Sequence, residues 1–344
     1  GLTGRYLNAG RPGSCGRPGR KPGKYLIIQS DFRPAWWLPG RHLQTLFPAL
    51  LRPRRPPPLK RERLELPDGD FLDLDWTSAT NSMRVLVLHG LEGSLESHYA
   101  GNLLAHLSAA GYNAGLMYFR GCSGESNRLP RSYHSGETGD LEQVVDYLLE
   151  KYPHQPLSLI GFSLGGNVLL KWLGEQGSSA GIEQAIAISV PFDLDAAARQ
   201  LDTGLSRIYR NYLLNKLRKA TIRKALMHTP VFPVRRLHEL RSFRAFDNAV
   251  TAPLHGFSDV DDYYSRASCK QFLYKIRVPT LILQSSDDPF LPASSLPRAD
   301  ELAPFVTLEL SSRGGHVGFT SGSNPLAPGY WLEQRIAQQL ANAS

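Results

Sequence analysis

The run Leu157-Ser158-Leu159-Ile160-Gly161-Phe162-Ser163-Leu164-Gly165-Gly166-Asn167 decides how this chain folds. Its first residues read as a short apolar strand, and those after Gly165 have the pattern of a starting helix. Between them lies G-x-S-x-G, a sharp strand-to-helix turn. Such a turn strains the backbone at Ser163. It also brings neighbouring chain so close that side chains two residues to either side would clash, which explains the glycines. The turn lifts the serine Oγ clear of a sheet and sets it at a helix N-terminus. Free N–H groups and the positive end of the helix dipole favour negative charge there. The pattern by itself also fits a glycine-rich turn with a bystander serine, so the flanking strand and helix carry the reading.

A serine hydroxyl is a weak nucleophile near neutral pH and needs a base, itself oriented by a third group. On a sheet with such a turn the partners follow in the order Ser, acid, His. Downstream, the apolar strand Thr280–Gln284 runs into Ser285-Ser286-Asp287-Asp288-Pro289-Phe290-Leu291-Pro292. Asp288 is the expected acid and Asp287 its competitor. The strand Val306–Leu310 then leads into Ser311-Ser312-Arg313-Gly314-Gly315-His316-Val317-Gly318-Phe319. His316 is the one histidine of ten that follows a strand after the acid, which makes it the expected base. An oxyanion needs two N–H donors. One is expected from the backbone of Leu164, just after the nucleophile. The other is expected from Leu91 in the loop His89-Gly90-Leu91-Glu92-Gly93-Ser94, which follows the buried-type strand Arg84–Leu88. His89 reads as a structural residue of that turn.

Working outward, Arg61–Leu66 and Phe71–Trp76 alternate about Pro67-Asp68-Gly69 as a hairpin. Helices are expected in Gly93–Ala110, Leu141–Lys151 and Trp331–Leu340, and strands in Asn113–Tyr118 and Gln184–Val190. Strands alternating with helices imply an α/β fold with a mostly parallel central sheet. The 88 residues between Val190 and Pro279 exceed what one crossover needs. They read as an inserted helical cap, helical around Leu201–Leu226, with Leu205, Tyr209, Tyr212, Leu213 and Leu217 at helical spacing. That face packs on the body or roofs an acyl-chain pocket. The expected organisation is a flexible basic tail (1–30), an N-terminal arm packing on the body (31–58), an α/β core (59–190 and 279–344) and the cap (191–278).

The chain has 344 residues, 20% of them charged, with a formal net charge of +8. Residues 1–63 carry 14 Lys/Arg against 2 acids, and residues 199–244 carry 12 against 2, which leaves the remainder at −14. An acidic body thus bears two basic attachments. These suit an anionic membrane surface met peripherally through arm and cap. No zinc finger, basic zipper or aromatic RNA-binding signature accompanies them, so no nucleic-acid partner is expected. No apolar run approaches the ~18 residues of a spanning helix. Three cysteines (Cys15, Cys122, Cys269) are too few and too scattered for a disulfide framework. A reducing, cytoplasmic location is expected, peripheral at most to the inner membrane.

Further strings narrow the reading: His42-Leu43-Gln44-Thr45-Leu46, Leu88–Ser94, Arg120-Gly121-Cys122-Ser123-Gly124-Glu125, Tyr133-His134-Ser135-Gly136-Glu137-Thr138, Thr251–Phe257 and Asp287–Phe290. With the elbow, acid and histidine loops they resemble the α/β-hydrolase superfamily, and within it the bacterial YheT-like branch of the AB hydrolase superfamily's AB4 family. The resemblance runs from about Phe32 to the C-terminus. It implies a serine carboxylic-ester hydrolase with a Ser-Asp-His charge relay on Ser163, Asp288 and His316. It also implies acyl esters as substrates, since eukaryotic relatives act on medium-chain fatty esters, monoacylglycerols or phospholipids, and some transfer the acyl group to an alcohol. The expected substrate is a small or medium-chain acyl ester, lipid esters included. The alternatives are an acyltransferase that passes the acyl group to an alcohol and a non-catalytic member of the fold, and the intact triad weighs against the latter. Arg120 and Glu137 are expected to form a partly buried pair fixing their loop. His134 and its neighbours lack metal-ligand spacing, and neither metal nor organic cofactor is expected.

Overall fold

The computed structural model describes residues 26–78 and 83–342. Nine strands form one sheet: β1 (Ile27–Gln29), β2 (Lys60–Glu65), β3 (Phe71–Trp76), β4 (Arg84–Leu88), β5 (Asn113–Met117), β6 (Leu157–Phe162), β7 (Gln184–Ile188), β8 (Thr280–Ser285) and β9 (Val306–Ser311). Their spatial order is β1-β9-β8-β7-β6-β4-β5-β3-β2. All pairs are parallel except β2–β3 and β3–β5. The strands β4, β6, β7 and β8 are buried along their whole length, as continuous apolar runs in a two-sided parallel sheet should be.

Each face of the sheet carries its own core. On one face Leu159, Ala187, Ile282 and Leu308 pack with Leu169 and Trp172 of α4 (Leu164–Gln176) and Val144 of α3 (Thr138–Lys151). On the other, Ile160, Ile186 and Leu283 pack with Leu103 and Leu107 of α2 (Ala100–Ala109) and Ile336 of α10 (Trp331–Ala341). Full burial of one such side chain contributes about 1.5–3 kcal/mol. At the antiparallel edge the β2–β3 register sets Arg61 opposite Asp75 and Arg63 opposite Asp73. Both pairs close as two-pronged ion pairs at 2.8–2.9 Å, so the buried aspartates of β3 are neutralised from the neighbouring strand.

The sheet begins earlier than the sequence reading has it. Ile27–Gln29, assigned there to the flexible tail, runs parallel to β9 in register with Leu308–Leu310. The expectation for residues 1–25 lies outside the described residues. The apolar arm contains α1 (Gly40–Leu51), which carries Pro48 within it.

Between β7 and β8 the chain forms α5 (Leu194–Leu201), the 20-residue α6 (Ser206–Ala225), the short α7 (Phe243–Phe246) and α8 (Ala252–Leu254), and α9 (Val260–Ala267). These share a third apolar cluster, with Leu201, Tyr209, Leu214, Phe246 and Tyr264 buried and Leu46, Leu91 and Phe290 packed against it. The apolar residues of α6 do not all face one way. Tyr209 is buried and Leu213 and Leu217 pack on the cluster, whereas Leu205 and Tyr212 point to solvent.

Candidate active site

The elbow is strained as its sequence requires. Ser163 adopts φ 50° and ψ −116°, a region costly for any residue with a Cβ. A side chain at Gly165 would meet the carbonyl oxygens of His89 and Leu88 at 2.5 and 2.6 Å, and one at Gly161 would meet the Gly165 carbonyl at 2.5 Å. Backbone on both sides forbids anything larger than glycine at these two positions.

Three loops at the carboxyl ends of β6, β8 and β9 bring Ser163, Asp288 and His316 together. His316 Nε2 lies 3.0 Å from Ser163 Oγ, and His316 Nδ1 lies 2.8 Å from Asp288 Oδ2. Asp288 is almost fully buried. Its second oxygen accepts the Phe290 N–H at 2.8 Å, and Gln284 Nε2 stands 3.4 Å from the first. Asp287 faces elsewhere. Its Oδ1 accepts the Gly315 N–H at 2.9 Å, and burial raises its pKa. It shapes the histidine loop without touching the ring.

The loop after β4 is pinned on both sides of Leu91. Gly90 N–H donates to Tyr99 Oη at 2.7 Å and Glu92 N–H donates to Tyr133 Oη at 2.7 Å. Tyr133 in turn donates to Glu92 Oε1 at 2.9 Å, and Glu92 is held at φ 48°. The Leu91 N–H between them, like that of Leu164, makes no hydrogen bond among the described residues. His89 is a structural residue. Its Nδ1 meets the Gly90 carbonyl at 2.7 Å and its Nε2 accepts the Phe119 N–H at 3.2 Å. Burial lowers its pKa to about 4, so the ring is neutral.

The His42–Leu46 string, quoted above without a role, clamps the histidine loop. Thr45 Oγ1 accepts the His316 N–H at 2.9 Å, and the Gln44 side chain exchanges two hydrogen bonds with the Thr320 backbone at 2.9 and 3.0 Å. A side chain at Gly318 would strike the Gln44 carbonyl at 2.3 Å. His42 Nδ1 meets Tyr209 Oη of α6 at 3.0 Å. Phe290 stacks on the His316 ring with centroids 3.8 Å apart and planes at 3°, and Ser206 Oγ of α6 donates to Pro289 O at 2.8 Å. Strand periodicity carries no sign of these roles. Only the Asp-Pro-Phe string next to the acid hinted at Phe290.

Arg120 has different partners from the one expected. It forms a two-pronged pair with Asp140 at 2.7 and 2.8 Å and also reaches Asp68 and Asp70 at 2.8 and 3.0 Å. Glu137 pairs with Arg131 instead. Three aspartates, two from the β2–β3 turn and one from α3, outcompete one glutamate because together they fill the guanidinium's rigid fork of donors. The spacing argument also missed that His134, Glu137 and His255 bring ligand-type atoms within 4.8 Å of one another. His134 Nδ1 accepts the Gly136 N–H at 3.1 Å, so the neutral ring carries its proton on Nε2. That nitrogen faces Glu137 Oε2 at 3.4 Å. Burial lowers both histidine pKa values to about 3. A cation entering this cluster would meet an N–H and the charge of Arg131 where it needs lone pairs.

Beneath α6 lies a cavity of about 140 Å3, reaching from Leu91 and Leu164 past Leu217 and Phe246 to Val231. One end of it is lined by Leu91 and Leu164, the residues that carry these two N–H groups.

Sequence comparison agrees with this architecture. Residues 84–323 match the family model described as "alpha/beta hydrolase fold". The chain belongs to the α/β-hydrolase family. It is 40% identical over 317 residues to the esterase candidate YheT of Escherichia coli (strain K12), covering 90% of this chain and 93% of that one. It is 30% identical over 328 residues to the phospholipase ABHD3 of Mus musculus, covering 92% of this chain and 79% of the other. Among solved structures it superposes on the esterase Pf2001 of Pyrococcus furiosus with a TM-score of 0.55 at 18% identity, covering 83% and 91% of the two chains. That likeness shows the fold alone. The relatives set this α/β-hydrolase among the esterase and lipase type.

Proposed function

We propose that this α/β-hydrolase is a serine carboxylic-ester hydrolase working through Ser163, His316 and Asp288. The observation that carries the reading is the relay of 3.0 and 2.8 Å contacts from Oγ to imidazole to carboxylate. Ser163 Oγ attacks the ester carbonyl while His316 Nε2 takes its proton. The carbonyl oxygen becomes an oxyanion held by the Leu91 and Leu164 N–H groups. His316 then protonates the departing alcohol, leaving an acyl-serine. Water attacks this acyl-enzyme by the same route in reverse. Asp288 fixes the imidazole tautomer and stabilises its cation.

The substrate is an acyl ester of the lipid type. The cavity under α6 supports this, since its lining includes Leu217, Phe243, Phe246 and Val250 together with Leu91 and Leu164, the residues proposed to hold the oxyanion. The names of the relatives point the same way. In this proposal residues 191–278 act as a cap that selects the acyl or alcohol portion.

The test is p-nitrophenyl ester hydrolysis with labelling by a fluorophosphonate probe. The wild-type chain is expected to label and turn over, with longer acyl chains preferred over acetate. Ser163→Ala is expected to lose both the label and at least about 10⁴-fold in kcat with an unchanged melting curve. Labelling retained in that variant would remove Ser163 from the mechanism.

A further inference from the structure

The helix that roofs the cavity has an outer face of unusual make-up. α6 carries seven Lys or Arg and no Asp or Glu. Lys216, Arg218 and Lys224 reach carbonyl oxygens of neighbouring segments, and Arg210 alone is ion-paired to a carboxylate, that of Asp202, among the described residues. The side chains of Lys219 and Arg223 make no hydrogen bond or ion pair among those residues. Between the cations runs a line of exposed apolar side chains: Leu205, Ile208, Tyr212, Ile222 and Leu226, of which Leu226 is 84% exposed. Their spacing follows steps of three and four residues through Asn215 and Lys219, so they form one stripe along the helix. Met227 and Val231 extend it past the C-terminal end. Soluble surfaces seldom leave such a stripe uncovered.

Two further facts tie this face to the site. Val231 is both exposed and part of the cavity wall, as is Arg223, so the rim of the cavity is apolar and basic where the stripe ends. The opposite side of the same helix supplies Leu217, Ala220, Thr221 and Lys224 to the cavity. One helix thus presents its outside to the surroundings and its inside to the chemistry.

We propose that the outer face of α6, continued by Leu226, Met227 and Val231, is an interfacial docking face for an anionic lipid surface, and that it sets the cavity rim against the lipid that supplies the ester. The substrate part of this statement rests on the ester-hydrolase reading; the docking part does not. Apolar side chains enter the headgroup–acyl boundary while flanking Lys and Arg meet anionic headgroups, the physics of a monotopic helix. Charge decides between occupants. A second copy would bring the same unopposed cations against these, whereas an anionic leaflet neutralises them. The described residues hold no helix long and apolar enough to cross a membrane, so this contact lies along a surface.

The test is flotation of the full chain with phosphatidylcholine vesicles and with equimolar phosphatidylcholine–phosphatidylglycerol vesicles. The anionic vesicles are expected to bind the protein, and added salt to release it. The double variant Ile222→Glu/Leu226→Glu is expected to bind them at least about tenfold more weakly, with unchanged hydrolysis of p-nitrophenyl acetate in free solution. Ser163→Ala is expected to bind like wild type, which separates docking from catalysis. Equal binding by the double variant, no binding by wild type, or no preference for the anionic vesicles would overturn the proposal. So would a dimer in solution that the double variant breaks without any loss of vesicle binding.

Discussion

The loops at the carboxyl edge of the sheet and the helices between β7 and β8 hold their shapes by different means. At the sheet edge, backbone meets backbone. Gly165 lies against the His89 and Leu88 carbonyls and Gly318 against that of Gln44, with no room for a methyl group. In the helical segment side chains meet side chains around Tyr209, Leu214 and Phe246, and Gly204 has nothing within 4 Å of where a Cβ would stand. The first arrangement leaves the backbone beside Ser163 and His316 no space to adjust. The second tolerates change.

Gly165→Ala should break the first region outright. Its methyl group has only backbone to displace, so we expect a loss of about 4 kcal/mol or more in urea unfolding, or no folded protein. Gly204→Ala in the helical segment should cost only about 1 kcal/mol, from its φ of +46° alone. Equal effects at the two sites would erase the contrast. Next in size, Asp288→Asn should lower kcat by about 10⁴-fold, because an amide does not hold the productive imidazole tautomer. Asp287→Asn, one residue away, should cost less than about tenfold, since its carboxylate meets the Gly315 N–H beside the ring and not the ring itself. Steady-state kinetics on the pair separates a residue that touches the base from one that shapes its loop. Thr45→Val removes the acceptor of the His316 N–H and should cost about 1–2 kcal/mol in thermal unfolding, with kcat falling more than KM rises.

The smallest effect concerns pH. Asp247, buried against Thr251 and Tyr264 hydroxyls, has its pKa raised by burial to about 6. The folded protein therefore holds this proton more tightly than the unfolded chain does. The resulting stabilisation is fully present below the unfolded pKa of about 4 and disappears as pH rises through about 6. Asp247→Asn should flatten that part of the stability profile, and chemical denaturation at a series of pH values between the two would reveal it. An unaltered slope would mean that Asp247 is not the titrating group.

How far the sequence foretold all this follows from how local each signal is. The elbow is read from eleven consecutive residues because the turn, strand and helix that define it are neighbours in the chain. β4, β6 and β8 are legible because a strand buried on both faces must be apolar throughout. Asp288 and His316 follow from chain order. The clamp by Gln44 and Thr45 does not, since its bonds span 276 and 271 residues and nothing near Thr45 announces its partner. Arg120 shows the same limit: its ligands Asp68 and Asp70 come from the β2–β3 turn and Asp140 from α3, segments that spacing arguments never compare. Ile27–Gln29 is a strand only because β9 offers an edge. Periodicity marked α6 as a helix, yet which of its apolar residues face inward depends on elements folded around it.

The clamp on His316 has a consequence for the birth of the molecule. Thr45 leaves the ribosome 271 residues before His316, and the elbow lies between them. A growing chain can thus form the nucleophile's turn long before its base is seated. Chain synthesis advances by about 5–20 residues per second, so Ser163 precedes its proposed proton acceptor by many seconds. On that proposal, hydrolytic power arrives in one step, when the segment of Thr45 meets the loop of His316.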